Sequence, residues 1–443
     1  MVWSSSLDEY EKLVIRMNTP RVVIDNSVCP FATLVKVDSA RKEGIHLQAV
    51  QVLTDLDLSI RKAYISSDGR WFMDVFHVTD RHGRKISDES VISYIERSLG
   101  AAGDEISAGP RSLESLTTLE LVGADRPGLL SEVFAVLADL RCYVVEFKLW
   151  THNGRIAALL FVKEDSNSPI EDSDKICRIE ARLRNVVRGA TTAFASSATG
   201  AGGTFADRRL HQLMFADRDF DRADCVRGEP SVSVQNWIER GYSVVYVQCQ
   251  DRPKLLFDVV CTLTDMNYVI FHGTIDTKFD RACQEFYIRH SDGSPISSEA
   301  ERQRVIQCLQ AAIDRRASEG LRLELCAPDS GSGLLVDATR TFRENGLSVT
   351  RAEKSTTNGE TSANVFYVTD AGGHPADRKT IEAVINRLGA GSLRAYEDRP
   401  IWIEDNRVGL DDDEPSTAGT GLFYLGSLVK RNLYNLGLIR SCS

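Results

Sequence analysis

The sequence predicts an α+β protein made of four tandem copies of one small βαββαβ unit. A short phrase, Asp125-Arg126-Pro127-Gly128-Leu129-Leu130, follows an apolar run and opens an amphipathic segment. Asp251-Arg252-Pro253-Lys254-Leu255-Leu256 repeats it, and degenerate versions stand at Asp38…Gly44-Ile45 and Asp329…Gly333-Leu334-Leu335. Behind each of these openers come two β-rich runs around a turn, and then a second amphipathic segment. A chain of 443 residues is also too long for one ordinary core, so several domains of roughly 100 residues are expected.

Each element has a local reason. The first strands are expected at Ala32–Val37, Thr118–Val122, Ser243–Gln248 and Leu321–Cys326. The first helices follow at Ile45–Leu56, Leu129–Leu140, Leu255–Met266 and Leu334–Asn345, where apolar residues recur at three- and four-residue steps. The hairpins pair Ile60–Ile65 with Trp71–Val78, Cys142–Trp150 with Ile156–Val162, and Ser348–Thr356 with Ala363–Val368. Asp68-Gly69, Asn153-Gly154 and Asn358-Gly359 turn them, because both central positions of such a turn need positive φ. Copy three turns at Lys278-Phe279-Asp280, a weaker signal. The second helices are expected at Ser87–Leu99, Asp172–Val187, Ser298–Arg315 and Arg378–Leu388. Final strands are weakest, with Thr191–Ala195 and Leu393–Tyr396 as candidates. This order is the ferredoxin-like split βαβ arrangement, and such units are expected to pair through their sheets.

The helix openers stand at 44, 128, 254 and 333, at intervals of 84, 126 and 79 residues. The long middle interval holds Ala/Ser/Gly/Thr-rich Thr191–Thr204 and then Asp207–Arg222, a short helix with Leu210, Leu213, Met214 and Phe220 on one face. The resulting division is an N-terminal segment (1–30), copy one (31–110), copy two (115–198), a linker with a short helix (199–240), copy three (241–318), copy four (319–398), and an acidic loop with a C-terminal helix (399–443). That last helix, Leu422–Ile439, reads as packing on a domain or as a partner- or membrane-surface element.

Composition narrows the function. Apolar content of 42% and charged content of 26% are those of a soluble globular protein, and a net charge of −10 argues against nucleic-acid binding. The ten cysteines stand singly with no CxxC pair, as expected for small buried side chains in a reducing compartment. Neither a signal pattern nor a membrane-length apolar run is evident, so a cytoplasmic or nuclear protein without a transmembrane segment is expected. The cysteines and the eight histidines are too dispersed for a metal site, and no cofactor motif appears. Asp-x-Asp pairs occur at Asp55-Leu56-Asp57 and Asp217-Arg218-Asp219, but neither follows the Gly-Ser turn of nucleotidyl transfer. With no P-loop or nucleophile elbow either, no catalytic residue is expected and the protein reads as a non-enzyme.

The repeated loop admits two accounts. Structurally, Asp caps the helix, Pro suits its first turn and Gly permits a close bend. Functionally, free N–H groups at a helix N-terminus seat a carboxylate while Asp accepts from an ammonium group, which suits an amino acid.

The unit resembles the ACT domain, a ferredoxin-like module that binds amino acids and other small ligands. More specific strings are Ala63-Tyr64-Ile65-Ser66-Ser67-Asp68-Gly69, Trp71-Phe72-Met73-Asp74-Val75-Phe76, Arg208-Arg209-Leu210-His211-Gln212-Leu213-Met214-Phe215-Ala216-Asp217-Arg218-Asp219, and Phe342-Arg343-Glu344-Asn345-Gly346-Leu347-Ser348-Val349-Thr350-Arg351-Ala352-Glu353. With them the chain resembles, from about Asp8 to its C-terminus, the plant ACT-domain-repeat (ACR) proteins, which carry four such domains. The resemblance implies amino-acid binding and sensing with no enzymatic domain.

It also implies contacts from the loop acid of one domain and from the residue opening the second strand of a paired domain. The loop acids are Asp38, Asp125, Asp251 and Asp329, and the second-strand residues are Ser59, Tyr143, Val269 and Ser348. Copy two, with Asp125, Arg126, Gly128 and Tyr143, is the best-formed candidate. Copy one (Asp38, Gly44, Ser59) and copy four (Asp329, Gly333, Ser348) have longer loops, and copy three (Asp251) has Lys254 in place of glycine. Eighteen places after each opener stand Lys62, Glu146, His272 and Arg351, suited to pairing across domains, to distinct ligand preferences, or to solvent-facing positions free to vary. Two functions remain open: an amino-acid sensor acting on an unknown protein partner, or an interaction scaffold without a small-molecule ligand. Association of whole chains is left open.

Overall fold

A computed structural model describes residues 21–40, 44–67, 71–100, 116–164, 170–187, 194–199, 206–215, 231–278, 280–316, 320–326, 332–355, 363–389 and 391–396. The expected C-terminal helix, the acidic run at 411–414, the Asn358-Gly359 turn and Asp329 lie outside them.

The four copies are ferredoxin-like, and they combine in alternating pairs. Copy one contributes β2 (Thr33–Ala40), α1 (Ile45–Asp55), β3 (Ser59–Ser67), β4 (Trp71–Thr79) and α2 (Glu89–Gly100). Copy three contributes β10 (Tyr242–Gln250), α6 (Leu255–Asp265), β11 (Tyr268–Lys278), β12 (Arg281–His290) and α7 (Glu299–Arg316). With β1 (Arg21–Asp25) and β9 (Ser231–Trp237) they form one eight-stranded antiparallel sheet, β1-β2-β4-β3-β11-β12-β10-β9. The copies join where β3 meets β11, with Lys62 opposite Asp276 and Ser66 opposite His272.

The second unit repeats this with copies two and four. Copy two supplies β5 (Thr117–Ala124), α3 (Leu129–Asp139), β6 (Tyr143–His152), β7 (Arg155–Lys163), α4 (Ser173–Val186) and β8 (Phe194–Thr199). The linker helix α5 runs from Ala206 to Phe215. Copy four supplies β13 (Leu321–Cys326), α8 (Ser332–Glu344), β14 (Leu347–Ser355), β15 (Ala363–Asp370), α9 (Arg378–Leu388) and β16 (Leu393–Tyr396). The sheet runs β16-β13-β15-β14-β6-β7-β5-β8, and β14 meets β6 with Arg351 opposite Trp150.

The edge strands differ from expectation. Copies two and four close with a strand after the second helix, β8 and β16, as a βαββαβ order requires. Copies one and three instead take theirs from the residues before the first strand, as ββαββα. β1 lies inside the segment expected to be N-terminal to copy one, and β9 inside the segment expected to be linker. A repeated polar clasp fixes these N-terminal hairpins. Asn26 donates through Nδ2 to Ile86 O and accepts from Thr33 Oγ1, while the Ile86 N–H donates to Thr33 Oγ1. Asn236, Ser243 and Ile296 make the same three bonds in copy three.

The first helices end alike. Thirteen residues after each opener the backbone turns left-handed, at Asp57 (φ 52°), Arg141 (φ 53°), Asn267 (φ 63°) and Gly346 (φ 70°). Every following strand then carries a β-bulge, between Ile60 and Lys62, Val144 and Glu146, Ile270 and His272, and Val349 and Arg351. The positions after the bulge differ: Glu146 and His272 are buried, Lys62 is partly exposed and pairs with Asp276 of copy three, and Arg351 pairs with Glu353 on its own strand.

In the second unit the helices of both copies cover one sheet face over a continuous core, in which Phe134 meets Phe147 and Phe342 meets Phe366 edge to face, with Phe147 and Phe366 tilted against each other. The opposite face of copy two is covered by α5, whose Leu210 and Met214 pack on Trp150, Leu159 and Phe161. Asp207, at the start of α5, is buried and pairs with Lys148 Nζ at 2.9 Å and with Arg316 Nη1 at 3.2 Å; the end of α7 from Ala311 on belongs to this second unit, and there Arg316 lies over the Trp150 ring.

Candidate functional site

Where the loop of copy two meets copy four, the second unit holds a cleft of about 200 Å³. Asp125, Arg126 and Gly128 line one wall, and Phe342, Arg343 and Ser348 line the other. Buried Leu129, Leu149, Ile156 and Leu347 form its apolar floor. Asp125 stands one residue beyond the end of β5, its backbone N–H tied to Gly154 O at 2.8 Å, so the hairpin turn of the same copy holds the loop in place. Burial pushes its carboxyl up to about 6, against the pull of the backbone N–H and guanidinium of Arg126.

Arg126 is engaged elsewhere. Its two terminal nitrogens clasp both oxygens of Glu132, and one also donates to Val186 O. Gly128 is the N-cap of α3 with φ 81°, and no side chain caps the helix. The capping role expected for the loop acid is therefore not realised: the cap residue is left-handed, and the nearest N–H bonded to Asp125 is that of Arg126. Gly128 serves a close approach instead, because a Cβ there would run into the Arg343 side chain arriving from α8.

The other residues expected from the sequence fare differently. Ser348, opening β14, joins Asp125 in the cleft, whereas Tyr143, opening β6 of copy two itself, is not among its lining residues. Asp38 is not a loop residue but lies within β2, paired with Lys36 at 3.0 Å, because that strand runs on to Ala40. Gly44 caps α1 with φ 78°, and Gly333 lies in the first turn of α8.

Asp251 stands in the first unit as Asp125 does in the second, with its carboxyl raised by burial against Arg61 of copy one and Arg252. There Lys254 takes the left-handed N-cap (φ 64°) and reaches Asp57 of copy one at 3.3 Å. The ion pair joins the loop of copy three to Asp57, two residues before Ser59, which opens β3. Arg252 meanwhile pairs with buried Asp258 at 2.8 Å, matching Arg126 with Glu132.

Arg343 belongs to none of the loop or second-strand patterns, yet the sequence holds a signal for it. Ten residues after each opener stand Thr54, Ala138, Thr264 and Arg343, so copy four alone carries a charge there. Among the described residues no cluster of His, Cys, Asp and Glu could hold a metal ion, and no helix is long and apolar enough to cross a membrane.

Comparison with known proteins gives matches along most of the chain. A family model described as the ACR family N-terminal ACT domain matches residues 28–105, one described as ACT domain matches 117–191, and one described as ACR9-like, ACT-like domain matches 231–326. ACT domain-containing protein ACR8 of Arabidopsis thaliana is 57% identical over 453 residues, with 100% of both chains covered. ACT domain-containing protein ACR4 of the same plant is 49% identical, again with 100% of both chains covered. ACT domain-containing protein ACR5, also from Arabidopsis thaliana, is 50% identical, covering 98% of this chain and 97% of that protein.

Proposed function

Since the chain belongs to the ACR family of ACT-domain proteins, we propose that it is a non-enzymatic regulatory or sensor protein that binds an amino acid. The ligand sits in the cleft between copies two and four. One observation carries this reading: a half-buried carboxyl raised by desolvation, Asp125, shares a cleft of amino-acid size with the uncapped start of α3 and with Ser348 of the paired copy. Asp125 accepts from the ligand's ammonium group, and the free N–H groups of α3 face its carboxylate. Because the walls come from two copies, a bound ligand stabilises their pairing, and a protein partner that reads the pairing responds to the ligand.

The experiment is calorimetric titration of the full chain with each of the twenty amino acids. Saturable binding of at least one supports the sensor. Failure of all twenty rejects it, and a partner still captured by the same protein would favour the scaffold. For the first unit the scaffold reading is itself favoured, since Lys254 of the corresponding loop is already paired with Asp57.

A further inference from the structure

Resting on that reading of the cleft, we infer that Arg343 is the residue that receives the ligand's carboxylate, and that the site selects neutral aliphatic α-amino acids.

Charge around the cleft leads to Arg343. Arg126 and Arg343 both line it, and Glu132 lies beside them. Glu132 is held at both oxygens by Arg126, which leaves Asp125 and Arg343 as the one remaining carboxyl and the one remaining guanidinium of the cleft. Among the described residues, the Arg343 side chain makes no ion pair or hydrogen bond, although Glu132 feels its charge. Nor is it among the groups that act on Asp125, so the acid and the base of the cleft do not neutralise one another. An α-amino acid brings the two complementary charges on adjacent groups: its ammonium suits Asp125 and its carboxylate suits a guanidinium, which binds carboxylates bidentately.

The first unit provides an internal comparison. There the cation is Lys254, on the loop itself, and it has a carboxylate partner in Asp57. The residue of copy four that corresponds to Asp57 is Gly346, and the one in copy one that corresponds to Arg343 is Thr54. The second unit has thus moved the cation to the facing helix and has no carboxylate at the position that answers it. Gly128 is what lets this cation lie across the loop.

Selectivity follows from what remains. Once Asp125 and Arg343 take the ligand's two charges and Arg126 stays with Glu132, no charged group lining the cleft is left for a charged side chain. The Thr339 hydroxyl is spent on Leu335 O at 2.7 Å. Apart from the Ser131 and Ser348 hydroxyls, the remaining side-chain walls are apolar, through Leu129, Leu149, Ile156, Phe342 and Leu347, which favours an aliphatic side chain.

The test is calorimetry on the full chain with L-leucine and with L-leucinamide, which keeps the ammonium group but lacks the carboxylate. Wild type is expected to bind L-leucine at least about tenfold more tightly than L-leucinamide, as expected for a charge-assisted hydrogen bond. Arg343→Ala should shrink that preference to what the α3 N–H groups alone supply, lowering L-leucine affinity while leaving L-leucinamide unchanged, and Arg343→Lys should restore part of the difference. Arg343 is exposed and makes no pair among the described residues, so the variant should fold normally, and unchanged L-leucinamide binding reports on this directly. Full L-leucine affinity in Arg343→Ala, or equal weakening of both probes, overturns the role of Arg343 and leaves the amino-acid site standing. A wild-type preference for L-glutamate or L-lysine over L-leucine overturns the selectivity alone. Binding of none of the twenty amino acids removes the site and this inference together.

Discussion

Asp125 holds its carboxyl where ionisation is costly, and that cost makes both stability and binding pH-dependent. Its folded pKa of about 6 lies above the unfolded value, so folding favours the protonated acid. Stability present at low pH is lost as pH rises through 6, and a shift of about two units corresponds to at most about 3 kcal/mol. Asp125→Asn should therefore match wild type in denaturant unfolding near pH 4 and exceed it at pH 7 without ligand. Binding has the opposite dependence: the ammonium group requires the carboxylate, so amino-acid affinity should fall about tenfold per pH unit below 6. Asp125→Ala should weaken binding more than Asp251→Ala does in the same titration, and equal losses would undo that ranking. Asp125 is legible in the sequence because its phrase recurs. Arg343 is hard to see because its importance depends on which copy's helix faces which copy's loop.

At the scale of elements, the linker helix α5 holds an ionic hub on the sheet face opposite the other helices of the second unit. Lys148 of β6 and Arg316 at the end of α7 both depend on Asp207, and Arg316 and Asp207 are almost wholly buried. Removing one member of a buried pair leaves its partners' charge uncompensated, typically at a cost of about 3–5 kcal/mol. Asp207→Ala should thus lower the unfolding midpoint sharply, whereas Asp139→Ala, at an exposed pair with Arg182, should change it by less than about 1 kcal/mol. The helix itself is legible from Leu210, Leu213 and Met214, but its partners are not. The edge strands escape a reading of the sequence for a related reason. β1 and β9 are short, and the Asn26 and Asn236 clasps that tie them depend on residues about 60 positions away. Asn236→Ala would strand Ile296 O and the Ser243 hydroxyl, and should cost about 1–2 kcal/mol by chemical denaturation.

Over the whole molecule, the chain order one-two-three-four becomes two units, one with three and two with four. Four similar openers announce the repeat but not the partners, since each second strand offers the same kind of edge. The bulge after each opener and the left-handed residue thirteen places on recur in all four copies, so local geometry does not choose either. What distinguishes the units is a handful of side chains: Lys254 with Asp57 in one, Gly128 with Arg343 in the other. The duplication has kept the architecture twice and, on the reading proposed above, a competent site once. A further consequence is that residues 1–224 and 225–443, expressed separately, should each expose unpaired strand edges and associate or aggregate, and should reassemble when co-expressed. Two soluble, monomeric halves with no affinity for each other would contradict the pairing.

Hydrogen exchange of the full chain with and without a saturating amino acid is the decisive experiment for the cleft, because it reports where the ligand sits. Added protection is expected at the start of α3, the end of α8 and the first residues of β14, with the equivalent parts of the first unit unchanged. Protection at the start of α6 and of β3 instead, or none anywhere despite measured binding, would contradict a single site between copies two and four.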